Sequence, residues 1–160
     1  MMSRLTERQV RILGSALFLV YMGGLIYFLF FAENYGRSAQ GIGYRYNLVP
    51  LREIRRFLEN EEILGRRAVF LNVAGNILGF VPFGAILPLL HRRYRNAGRM
   101  ICVCLLFSVG VEIAQLLLRR GICDVDDVIL NTAGGFAGYL LFAACNALRR
   151  RLFGVIREGR

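Results

Sequence analysis

The amino-acid sequence predicts an all-α polytopic membrane protein, with four transmembrane helices and a short interfacial helix in the first extracytoplasmic loop. Three observations carry that class. Of 160 residues, 56% are hydrophobic, and the mean hydropathy is +0.46, which is too apolar for a soluble domain of this size. Four apolar runs, at 12–31, 68–90, 100–118 and 127–148, approach or exceed the ~20 residues that a helix needs to cross a bilayer. The charged residues gather between these runs, whereas a soluble bundle would need them along one face of every helix. The whole of 1–160 therefore reads as one transmembrane domain.

All 21 basic residues are arginine, against 11 acids, for a net charge of +10. In a soluble chain this balance would suggest nucleic acid. Here the arginines occupy the gaps between apolar runs, as topology signals and contacts to anionic lipid do, so lipids are the expected partners and nucleic acid is not. Cys102, Cys104, Cys123 and Cys145 have no metal or redox spacing and read as small buried hydrophobes. The single histidine, His91, lies among arginines in a turn and reads as solvated.

Taken in order, Arg4, Arg8 and Arg11 precede the first run, which is long for a signal peptide and reads as an uncleaved anchor. Gly23 and Gly24 within it are expected to allow close packing. The long connection after it contains N-L-V-P at Asn47–Pro50, with Pro50 suited to a helix start. Leu51, Ile54 and Leu58 then recur at helical spacing, which predicts the interfacial helix. In the second run Asn72 and Asn76 share a face, and Pro82 is expected to kink the helix. In the third run Ser108, Glu112, Gln115 and Arg119 follow one another at offsets of four, three and four, along one face. The fourth repeats those offsets with Asp127, Asn131, Gly134 and Gly138, whose glycines suit a close approach at the seam with the third helix.

Arginine counts give the orientation. The N-terminus, the 90–100 turn and the tail carry twelve; the long loop and the 119–126 turn carry nine. Compact clusters on the first side place both termini in the cytoplasm of a multi-pass cell-membrane protein. Whichever way the chain faces, helix two begins, helix three ends and helix four begins on one side. At ~1.5 Å per residue, Asn47, Asn72, Asn76, Glu112, Gln115, Asp127 and Asn131 converge there on one expected polar pocket.

N-L-V-P at Asn47, N-V-A-G-N-I-L-G-F-V-P-F-G at Asn72–Gly84, E-I-A-Q at Glu112–Gln115 and D-V-D-D-V-I-L-N-T-A-G-G at Asp124–Gly135 resemble the VanZ-like membrane proteins. The resemblance runs from about Asn47 to Leu141. It implies a bacterial membrane protein and a link to resistance against the glycopeptide antibiotic teicoplanin; it implies no general biochemical activity.

Three functional readings stand at this point. In the first, the pocket binds an amphiphilic lipid or glycopeptide-type ligand through Asn47, Asn72, Asn76, Gln115, Arg119, Arg120, Asp124 and Asn131. In the second, it is a hydrolase or transferase acting on a lipid or a lipid-linked cell-wall intermediate. Glu112, in an apolar setting, and Asp127, at the wetter helix start, would then divide acid and base roles. In the third, the polar stripe is a helix-packing network. No cofactor is expected and no metal is assigned. Asp124, Asp126 and Asp127 could offer oxygens to a hard cation, but with no histidine on that side zinc is not expected.

Overall fold

A computed structural model describes residues 7–31, 46–59, 66–119 and 122–158. Four long helices dominate: α1 (Glu7–Phe31), α3 (Arg66–Leu90), α4 (Ala97–Leu117) and α5 (Val125–Glu158). All four contain a stretch long and apolar enough to cross a membrane. The short helix α2 (Arg52–Glu59) follows the N-L-V-P segment, and two-residue strands β1 (Tyr46–Asn47) and β2 (Cys123–Asp124) pair in parallel. The protein is thus an all-α polytopic protein with one small β contact.

The tightest packing is between α3 and α5. A side chain at Gly134 would overlap the Ile77 carbonyl, one at Gly138 the Val81 carbonyl, and one at Gly84 the Gly135 carbonyl. Backbone therefore lies against backbone, and the two helices run parallel. The seam expected between helices three and four is in fact this one, since Gly134 and Gly138 face α3. Gly135 is the residue turned to α4, against Cys104. Around this pair, Phe83 stacks on Phe107 with ring centroids 5.2 Å apart, and Phe80, Met100 and Cys104 are fully buried. Helix α1 leans on α3 through Leu25 and Leu29, and the Tyr21 hydroxyl donates to the Gly79 carbonyl.

Several expectations shift. Helix α4 starts three residues early, because the Asn96 side chain accepts from the Arg99 amide and caps it. Helix α5 continues well past Leu148, since its arginines lie beyond the apolar stretch and carry good helix propensity. That places Cys145 inside a helix, exposed like Cys102; only Cys104 is a buried thiol of the expected kind. Pro50 sits in a turn ahead of α2, not in its first turn. Gly23 and Gly24 are exposed and meet nothing, so they support no close packing.

Gly84→Ala should therefore destabilise the protein by ~3 kcal/mol or more, since backbone cannot yield as a side chain can. Gly23→Ala should leave stability unchanged or slightly raised. Thermal unfolding in detergent checks the pair.

Candidate functional site

The parallel pairing of β1 with β2 sets Asn47 opposite Asp124, at the end of the bundle where α3 and α5 begin and α4 finishes. Asp124 is almost fully buried. Its Oδ1 accepts from Asn47 Nδ2 at 3.0 Å and from the Asp126 amide at 2.9 Å. Its own amide donates to Glu112 Oε2 at 2.8 Å. Glu112 thus finds a donor at the peptide just before α5. A charge-assisted bond to a backbone N–H is among the stronger ways to satisfy a buried carboxylate.

The next two acids turn to other elements. Asp126 accepts from the amides of Leu51, Glu53 (2.8 Å) and Ile54 (3.1 Å), and so caps α2 from a different helix. Asp127 accepts from Asn76 Nδ2 at 2.6 Å. Asp127 is buried, not wet as its place at a helix start suggested, because the close α3–α5 contact brings Asn76 over it. Deeper in, Asn131 Nδ2 donates to Ser108 at 2.9 Å, and Gln115 Nε2 donates to the Leu29 carbonyl of α1 at 2.8 Å. The carboxylates of Asp124, Asp126 and Asp127 point to separate partners. Among the described residues no group of three or more acids, histidines or cysteines is arranged to hold a metal ion.

The polar segments do converge, but largely on one another. Arg119 leaves the stripe: it lies just past the end of α4 with φ 53°, in the position that usually closes a helix with glycine, and it is exposed. Arg120 and the Asn72 side chain lie outside the described residues. Asp126 was considered only as a possible cation ligand, and its capping role was missed. The signal was present, since α2 has no Ser, Thr, Asp or Asn just ahead of it and needed a donated cap.

Among the described residues, the buried atoms Gln115 Oε1, Asn131 Oδ1 and Thr132 Oγ1 have no hydrogen-bond partner. Each such group costs ~1–3 kcal/mol unless something reaches it. An apolar groove of about 290 Å³ opens beside this end between α1 and α3, lined by Tyr21, Leu25, Phe28, Gly75, Leu78 and Pro82 among others. Its upper limit, Phe28 and Gly75, is one residue from Leu29 and from Asn76.

A family model described as VanZ/LLP1 matches residues 18–147. The chain belongs to the VanZ/LLP1 family. The match covers all the converging segments, from α1 through Glu112 to Asn131. "Protein VanZ" of Enterococcus faecium is 34% identical over 79 residues, 48% of this chain and 47% of that protein, so the aligned stretch spans about half the length of either. No solved structure gives a significant match.

Two measurements check this geometry. Asp126→Ala should lower stability by ~1–2 kcal/mol, the usual cost of a lost cap, with Asp126→Asn recovering most of it because asparagine caps nearly as well. Thermal unfolding, with proteolysis of α2 as the local readout, would show it. Cys123 is half-buried beside Glu112 and Asp124; burial first, then those two negative charges, push its thiol above its ordinary range. A raised thiol pKa means less thiolate at neutral pH, so maleimide labelling should be slow there and keep accelerating above about pH 8.5, where an ordinary thiol is half ionised. Glu112→Gln should shift that profile to lower pH.

Proposed function

We propose that this VanZ-family protein binds an amphiphile, a lipid or a glycopeptide-type molecule, at the polar end of the bundle. The head group meets the free carbonyl oxygens of Gln115 and Asn131, and the apolar chain lies along the α1–α3 groove. Asn47, Asn76 and Asp124 hold the shape of that end. In this reading Arg119, exposed just past the end of α4, meets a phosphate or carboxylate on the head group, with Asn72 and Arg120 as further ligands. The reading places both termini in the cytoplasm of the cell membrane, the polar end outside it, and, through the family, a contribution to glycopeptide resistance.

One observation carries it. Gln115 spends its amide on the Leu29 carbonyl and leaves Oε1 buried and bare, and Leu29 follows Phe28, which lines the apolar groove. A hydroxyl or ammonium donor would satisfy that atom, and an attached alkyl chain would fill the groove. The acids Glu112 and Asp127 take a positioning part in this reading, being engaged with Asp124 and Asn76.

Protein purified in mild detergent should retain an amphiphile detectable by native mass spectrometry. Gln115→Leu should reduce its occupancy up to about tenfold, the factor of one hydrogen bond, and Gly75→Leu should displace it by filling the groove. Unchanged occupancy in both variants, with folding intact, would remove the proposal. The orientation has its own test: with Cys102 and Cys145 replaced by alanine, an impermeant maleimide at alkaline pH should label Cys123 on intact cells. Labelling only after lysis would reverse the orientation.

A further inference from the structure

Next to the polar end lies a surface that the ligand reading does not use. In the stretch 46–51 only Asn47 turns inward, while Tyr46, Leu48, Val49 and Leu51 are each more than half exposed, at 67%, 67%, 55% and 58%. These side chains do not hang on a loose loop. Tyr46 is tied into the β1–β2 pairing. The Asn47 side chain accepts from the Val49 amide at 3.2 Å, an Asx turn. The Arg52 amide reaches the Val49 carbonyl at 3.4 Å, closing a tight turn with Pro50 at its second position. Leu51 stands third, with φ 64°, where such a turn ordinarily places glycine. Asp126 then grips the amides on both sides of Arg52. A leucine held in a left-handed conformation by a buried carboxylate is fixed outward at some cost in strain.

Directly after this ledge come Arg52, Arg55 and Arg56, all exposed. The ledge is level with Asp124 and Asp126, and the apolar stretch of α5 begins at Val125. Apolar side chains at the end of a membrane span, rimmed by arginines, match a bilayer interface: hydrocarbon below, phosphates at the arginine level.

We propose that Tyr46, Leu48, Val49 and Leu51 form a wedge that penetrates the leaflet at the polar end, with Arg52, Arg55 and Arg56 on the phosphates above it. The partner is the lipid surface itself. The wedge goes beyond the ligand reading and stands whether or not the bundle binds an amphiphile. It fixes α2 at the depth of the head groups, so the polar end faces the leaflet and not the bulk solvent.

The chain has no tryptophan, which makes the test direct. Leu48→Trp supplies one reporter on the wedge; Arg55→Trp supplies one on the outer face of α2. Both are placed in phosphatidylcholine nanodiscs, with and without acyl-chain bromine as quencher. Leu48→Trp should emit to the blue of Arg55→Trp, and brominated lipid should quench it at least about twofold more, as expected for a side chain seated ~5–10 Å into the boundary. Val49→Trp is read the same way should the first variant fail to fold. Emission and quenching like those of Arg55→Trp would overturn the wedge. So would blue emission without quenching, which would mean that protein, such as a second copy, covers the ledge.

Discussion

Everything in this molecule depends on how closely α3 can approach α5. In lipid, two apolar helices gain nothing by hiding from the solvent, so association rests on packing and on the few polar bonds available. Gly84, Gly134 and Gly138 remove the side chains that would hold the axes apart. Because the two helices are parallel, the first turn of α5 comes beside α3 at Asn76. Asn76 then reaches Asp127, and α4, returning antiparallel, delivers Glu112 and Gln115 to the same level.

The acids at that level follow a common rule. Each is met by a neutral donor in the chain: a peptide N–H for Glu112, an amide and a peptide for Asp124, three peptides for Asp126, an amide for Asp127. Desolvating a carboxylate is costly, and oriented dipoles offset part of that cost. The price of this solution is shape: several of the donors are backbone atoms, so the strand pair and α2 must stand where these carboxylates need them. The polar end is therefore also the joint that holds α2 to the bundle.

Much of this was legible in the sequence. Apolar run length gave the four spans, and the spacing of Ser108, Glu112 and Gln115 gave the buried face of α4, because a helix is a regular object and its faces can be counted. The convergence of Asn47, Asn76, Glu112 and Asp127 followed from topology alone. The partners were not legible. Leu29 offers a carbonyl, Asp124 an amide and Leu51 an amide, and every residue type carries those atoms, so no side-chain pattern marks them. Arg119 was misplaced for a related reason: counting offsets assumes that the helix continues, and α4 ends at Leu117, two residues before it. Asp126 was the legible residue that was passed over, its purpose written in the missing cap of another helix.

The bond between Glu112 and the Asp124 amide spans only twelve residues, and both ends belong to one helical hairpin. A nascent chain enters a membrane helix by helix or hairpin by hairpin, and a bare carboxylate in the middle of that passage resists transfer into lipid. Here α4 and the residue just before α5 supply both the acid and one of its donors. The hairpin thus carries within itself part of the cover of its most costly group. Asn47 and α2 reach Asp124 and Asp126 from more than seventy residues away, so those bonds need the long connection in place as well. Glu112 is served from within its own hairpin, whereas Asp126 is served across the chain.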